Sequence, residues 1–189
     1  MIVFATNNAH KLDEVRRMLG PGSEVKSMAE IGCTDDIPET AETLEGNALL
    51  KARYVAGRYG VDCFADDTGL EVDALGGAPG VYSARYAGPG HDSAANTARL
   101  LRELEGKTDR RARFRTVIAL VRASGEEQTV EGQVEGTIAE APRGNGGFGY
   151  DPVFLPLEAG GLSFAEMAPD AKNAISHRGR ALAKLLEII

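Results

Sequence analysis

Apolar positions along the chain follow two alternating periods. Ile2 to Ala5 is a short apolar run that stops at Thr6-Asn7-Asn8, after which Leu12, Val15 and Leu19 recur at spacings of three and four. This pattern predicts a strand, a polar turn and a helix, and Gly20-Pro21-Gly22 ends the helix. Residues 24–28 fit a second strand. Leu44, Ala48, Leu49, Ala52, Val55 and Ala56 mark one face of a long helix that closes near Gly60. Val61 to Ala65 predicts another strand, delivering Asp66-Asp67-Thr68-Gly69 at its end as a turn. Leu70, Val72 and Ala74 then alternate with Glu71 and Asp73, as a half-buried strand does. Beyond a Gly/Pro-rich loop from Gly76 to Gly90, Asp92 or Ser93 can cap a helix with Ala95, Ala98, Leu101 and Leu104 inward. Residues 113–123 and 127–139 read as an antiparallel pair turning at Gly125. A second glycine-rich loop, Gly144 to Gly149, precedes a short strand at Val153 to Leu155. Ser163 and Glu166 form a possible capping box. The last helix places Ala181, Leu182, Leu185, Leu186 and Ile189 on its apolar side. Strands interleaved with helices predict an α/β fold with a mixed β-sheet.

Composition narrows the class. At 189 residues, the chain fits a single domain, 1–189, that buries its own core. Apolar residues make up 43% and charged residues 26%, an ordinary globular mix, so disorder is excluded. The net charge of −7 argues against non-specific binding to a nucleic-acid backbone. A phosphorylated small molecule would need local cations or a metal. Cys33 and Cys63 lie in no CxxC pair and are expected to be buried free thiols in a reducing compartment. No apolar run reaches the ~18 residues of a membrane span, and the first residues show no charged leader, so no membrane partner and a cytoplasmic location are expected.

Loops beyond strand ends are where α/β sheets gather ligands, and several here carry unusual residues. Thr6-Asn7-Asn8-Ala9-His10-Lys11 feeds a helix N-terminus, whose free N–H groups and dipole suit phosphate. An equally direct reading is that Asn8 caps the helix and Lys11 is solvated. Asp66-Asp67, where only one carboxylate can point into a given cleft, could join Glu39 in binding a hard divalent cation, with Lys51 nearby on the long helix. Asp67-Thr68-Gly69 also has the composition of a plain turn. Gly144 to Gly149 satisfies G-x-G-x-x-G, but Pro152 and Pro156 follow where a dinucleotide fingerprint requires a helix. No G-x-x-x-x-G-K-[ST] is present. Phe148 and Tyr150 are then either an aromatic platform for a base or part of the core. Lys172 precedes Ser176-His177-Arg178, where Ser176 can cap the final helix. Arg178 in the first turn opposes the helix dipole unless an anion compensates. The three histidines have no metal-binding spacing, and no nucleophile elbow supports Ser-His-Asp chemistry.

Six stretches resemble the inosine triphosphate pyrophosphatase family, also called XTP/dITP diphosphatases. They are F-A-T-N-N-A-H-K at 4–11, E-T-L-E-G-N-A-L-L-K-A at 42–52, A-D-D-T-G-L at 65–70, L-G-G-A-P-G-V-Y-S-A-R-Y-A-G at 75–88, G-G-F-G-Y-D-P-V-F at 146–154 and S-H-R-G at 176–179. They occur in the family's order across essentially the whole chain. The resemblance implies an elongated mixed sheet with two lobes around a deep central cleft, commonly as a homodimer. It implies Mg2+-dependent hydrolysis of ITP, dITP and XTP to monophosphate and pyrophosphate. Thr6, Asn7, Asn8, Ala9, His10, Lys11 and Lys51 would hold phosphates. Glu39 and Asp67 would bind Mg2+, with Asp67 also the proton acceptor and Thr68 touching substrate. Phe148, Gly149, Tyr150, Asp151, Lys172, His177 and Arg178 would line the nucleotide site. Where the family usually shows Gly and Phe around the acidic turn, this chain has Ala41 and Leu44. The rival readings are a non-catalytic nucleotide sensor and a hydrolase for a pyrimidine triphosphate such as dUTP or dTTP.

Overall fold

The computed structural model describes residues Met1–Ile189. Seven strands form one mixed sheet: β1 (Ile2–Phe4), β2 (Val25–Ser27), β3 (Cys63–Val72), β4 (Pro79–Gly80), β5 (Arg111–Val121), β6 (Glu127–Ile138) and β7 (Phe154–Pro156). Their order is β2-β1-β3-β5-β6-β7, with β4 paired to β3. β1 runs parallel to β2 and β3, whereas β3–β4 and β6–β7 are antiparallel. Five helices accompany it: α1 (Ala9–Leu19), α2 (Leu44–Tyr59), α3 (Ser93–Glu103), α4 (Pro169–Ile175) and α5 (His177–Leu186). The expected mixed α/β class is the one observed.

The chain divides into two compact units. The first comprises Met1–Asp67, Thr116–Gly132 and Ala181–Ile189, and the second Thr68–Arg115 and Gln133–Arg180. In the first, strand residues are apolar on both faces, as expected for a sheet covered on both sides. Val3, Ala5, Cys63, Ala65, Ala119 and Val121 pack with Ala48, Ala52, Val55 and Ala56 of α2. The alternate residues Phe4, Phe64, Ile118 and Leu120 pack with Val15 of α1 and with Ala181, Leu182 and Leu185. Phe4 and Phe64 are register partners on β1 and β3, and their rings stack 4.6 Å apart. Such a pair contributes about 0.5–1.5 kcal/mol beyond its area burial. Cys33 and Cys63 are buried free thiols, and burial pushes the Cys63 thiol up to about 12.

The second unit has its own core, built on Leu70, Val72, Leu100, Phe114, Val134, Tyr150, Phe154 and Phe164. On β5, buried Ala112 and Phe114 alternate with Arg111, Arg113 and Arg115. Arg113 pairs with Asp73 and Glu135 at 3.1 and 3.0 Å, and Arg115 with Glu71 at 2.9 Å.

Three local expectations change. Asp66-Asp67-Thr68-Gly69 is not a turn at a strand end, because β3 runs unbroken from Cys63 to Val72. Turn composition loses to the ladder here because the extended strand brings the Asp66 carboxylate to Lys11 and the Asp67 carboxylate to Asn47. The inward face of α3 is Asn96, Thr97 and Leu100, followed by Leu104, rather than Ala95, Ala98 and Leu101. Asn96 accepts from Ala87 N at 2.7 Å and donates to Ala84 O at 2.9 Å, so a satisfied amide orients the helix. Leu186 and Ile189 are exposed, the helix having ended at Leu186.

Gly136, opposite Pro156 in the β6–β7 pair, has no room for a side chain: a Cβ there would meet Leu155 O at 2.5 Å and Phe154 Cζ at 2.6 Å. Gly136→Ala should therefore lower unfolding free energy by about 1–3 kcal/mol, read from a urea midpoint. Gly22→Ala, with nothing within 4 Å of the new methyl, is the control and should leave the midpoint in place.

Candidate active site

The polar residues singled out from sequence fall into two sets, one in each compact unit. The first begins where β1 hands over to α1. Asn8 caps the helix, its side chain accepting from Lys11 N at 3.2 Å, and Asn8 N donates to Thr6 Oγ1 at 3.1 Å. Asn7, Asn8, Ala9 and His10 are exposed around this helix start. Lys11 is not solvated: its ammonium lies 3.0 Å from Asp66 Oδ1, and its side chain is 15% exposed. Asn8 caps as read, and Lys11 is ion-paired rather than solvated.

The long helix supplies the next cation. Thr43 caps α2 by accepting from Gly46 N at 3.0 Å, which places Lys51 two turns further along on a buried face. Lys51 Nζ donates to Glu39 Oε1 at 2.8 Å and to Asp66 O at 2.6 Å. Burial alone would lower its pKa, but the carboxylates of Asp66, Glu39 and Asp67 outweigh it and hold Lys51 above its ordinary value. Lys51 is therefore a permanent cation.

Asp66 and Asp67 are both buried, at 1% and 6% exposure, although they are consecutive on a strand. As alternation along a strand requires, the two carboxylates meet different layers: Lys11 of α1 takes Asp66, while Asp67 Oδ2 accepts from Asn47 Nδ2 of α2 at 3.1 Å. Burial, the largest influence, pushes the Asp67 carboxyl up to about 6; Lys51 and Lys11 pull it down and Glu39 adds to the rise. Glu39, Asp66 and Asp67 thus lie among the ammonium groups of Lys11 and Lys51. Carboxylate oxygens such as those of Glu39 and Asp67 are the donor type that a hard divalent ion takes. Asn47 belongs to this set and was not singled out from sequence. A usable signal for Asn47 was present: it is a polar residue on the otherwise apolar inward face of α2, one turn before Lys51.

The acidic turn approaches the helix closely. A Cβ on Gly46 would lie 2.7 Å from Ala41 Cβ and 3.0 Å from Thr43 Oγ1, so position 46 must stay bare for the segment carrying Glu39 to lie where it does.

The second set surrounds Phe148. The Asp151 carboxylate accepts from Phe148 N at 3.0 Å and from Lys172 Nζ at 2.7 Å, closing the glycine-rich loop onto α4. A Cβ on Gly147, whose φ is +67°, would sit 2.1 Å from Asp151 Oδ2. The Phe148 ring is half-buried, with Lys172 Nζ 5.0 Å and Arg178 Cζ 5.4 Å from its centroid. Arg178, 2% exposed, also donates to Thr68 Oγ1 at 3.3 Å. Ser176 performs the expected cap, accepting from Gly179 N at 3.0 Å. His177 is stacked on Phe114 at 4.6 Å. Tyr150 proves to be core, not platform: it is 6% exposed, its hydroxyl donates to Ser83 O at 2.6 Å, and burial raises its pKa. Lys172 and Arg178 thus lie over an aromatic ring, and both are hydrogen-bond donors of the kind that suits carbonyl oxygens.

Comparison with known proteins agrees with this picture. The chain matches the Ham1 family over residues 2–188. It is 57% identical to the dITP/XTP pyrophosphatase of Porphyromonas gingivalis, covering 100% of this chain and 96% of that protein. Among solved structures, the Ham1 protein of Staphylococcus aureus superimposes with a TM-score of 0.88 at 39% identity, over 98% of this chain and 96% of that one. A HAM1 protein from Coxiella burnetii gives a TM-score of 0.88 at 41% identity, over 99% and 96%. Taken with the sheet order and the charged sets just described, these likenesses establish that the chain belongs to the Ham1 family.

Proposed function

We propose that the chain is a nucleoside triphosphate pyrophosphatase that hydrolyses ITP, dITP and XTP to the monophosphate and pyrophosphate with Mg2+. The observation that carries this reading is the meeting of two lysines, Lys11 and Lys51, with the carboxylates of Glu39, Asp66 and Asp67 beside a helix start. Full-length identity to the Porphyromonas gingivalis enzyme supports the substrate class. The family resemblance also supports a homodimer and a cytoplasmic setting, and no helix is long and apolar enough to cross a membrane.

Glu39 and Asp67 would hold the ion. When bound, Mg2+ supplies positive charge to the phosphate oxygens and to the departing pyrophosphate. The helix start at Thr6 to Lys11 contributes N–H groups and an ammonium to the same phosphates. Lys51, anchored on Glu39 and on Asp66 O, adds a second positive charge. Asp67 accepts the proton of the water that attacks the α-phosphorus, and its raised pKa places it close to the working pH for that task. Phe148 stacks the base, and Arg178 donates to the oxygen at position 6 of hypoxanthine or xanthine. Adenine carries an amine there and leaves such a donor unpaired.

Asp67→Asn should reduce turnover of ITP by several orders of magnitude while the circular dichroism spectrum stays unchanged. In the metal-free protein near pH 7, the same change should raise the melting temperature, since it removes a buried charge. Stability offers a sign check on the pKa. Asp67 binds its proton more tightly when folded than at its ordinary value of 3.8, so stability from this group is full below about 4 and falls as pH rises through about 6. Activity runs the other way: turnover should drop below about pH 6 with the slope of one proton, and the midpoint should move lower as Mg2+ is raised. In a substrate panel, kcat/KM for ITP should exceed that for ATP by about 10^4, and comparable values would defeat the assignment of base recognition.

A further inference from the structure

Building on the reading that Glu39 and Asp67 hold the cation, we infer that Asn47 is a positioning residue for the reaction. Its carboxamide fastens the Asp67 carboxylate on one side and the Glu39-bearing segment on the other.

Asn47 is 0% exposed and lies on the face of α2 that also carries buried Leu44, Ala48 and Ala52. Its Nδ2 donates to Asp67 Oδ2 at 3.1 Å, and its Oδ1 accepts from Ala41 N at 2.9 Å. Lys51, one helical turn later, repeats the pattern: its ammonium reaches Glu39 Oε1 at 2.8 Å and Asp66 O at 2.6 Å. Residues four apart on a helix are surface neighbours. The two side chains are therefore successive rungs, each joining residues 39–41 to residues 66–67 of β3. The Lys51 rung places charge. The Asn47 rung stops rotation of the Asp67 carboxylate and sets how far the main chain of Ala41, two residues after Glu39, stands from it.

The chemistry of the rung admits few side chains. It needs one donor and one acceptor at the reach of a short amide. Aspartate keeps the acceptor but loses the donor, and alanine or leucine loses both. Asparagine is also a poor helix former, less favourable than the alanine and leucine residues that otherwise occupy this face. The position thus trades helix preference for a bond to a carboxylate that the proposed reaction uses. Partners of this kind, which orient a ligating or proton-accepting group, typically govern 10- to 100-fold in metal affinity or activity.

The test uses Asn47→Ala and Asn47→Asp in the full chain, each alone and combined with Asp67→Asn, assayed for pyrophosphate release from ITP. Asn47→Asp retains the acceptor for Ala41 N, so it keeps the segment tethered if alanine at this position prevents folding. Either single variant should lower kcat by about 10- to 100-fold and raise the half-saturating Mg2+ concentration, with KM for ITP changed by less than about threefold. On the Asp67→Asn background the same substitutions should lower the residual rate by no more than about twofold, because Asn47 acts through Asp67. A merely structural residue would cost the same factor on both backgrounds, and that result overturns the inference. So does a folded Asn47→Asp variant with parental kcat. If Asp67→Asn alone keeps near-parental turnover, the fault lies in the proposed function itself, which is a different failure.

Discussion

Holding charge inside the fold is the constraint on which this molecule turns. Asp66, Asp67 and Lys51 are each less than 9% exposed, and Lys11 and Glu39 pair with members of this group. Each ion removed from water costs several kcal/mol unless neighbours compensate. Compensation here is partial, as the raised Asp67 pKa records. The cost is carried by the two apolar layers of the same unit, which enclose β1 and β3 from both sides. A rigid, doubly covered strand is what allows the ions to stay together rather than relax into solvent. Such an arrangement gives up some stability in the substrate-free protein for a strong local field.

The second charged set solves a different problem. Lys172 and Arg178 are buried, each beside the Phe148 ring and within hydrogen-bond reach of an oxygen. Asp151 ties the loop and the lysine together, and the glycine at 147 leaves the carboxylate the space it needs. The ring of Phe148 is thereby presented in one orientation.

Much of the fold was readable in advance, because apolar periodicity survives in β1, α1, α2 and the β5–β6 pair. Where it failed, tertiary chemistry had overruled local preference. Asp66-Asp67-Thr68-Gly69 has turn composition, but Lys11 of α1 and Asn47 of α2 meet its carboxylates in the extended strand. The α3 face was rotated by one residue because hydrogen bonds from Asn96 outweigh the pull of small alanines. Lys11, Lys51, Glu39 and Asp67 were legible as a chemical set, since cations and carboxylates near strand and helix ends suggest phosphate and metal. Asn47 was passed over: the lone amide inside an apolar stripe marks the position as special, but only its partners show what it holds. Tyr150 misled for the opposite reason: a ring in a glycine-rich loop looks exposed, yet its hydroxyl has a carbonyl to reach inside the core.

The close approach of Ala41 to Gly46 also limits α2. The methyl at position 41 occupies the space that any side chain at position 46 would enter, so the two sites cannot both carry one. Glycine at 46 is a poor helix residue, and replacing it by alanine would gain about 1 kcal/mol of helix preference if space allowed. That gain is closed to this chain while Ala41 remains. Thr43 Oγ1, 3.0 Å from the same point, would have to give way as well, so position 46 is tied both to the acidic turn and to the cap of its own helix.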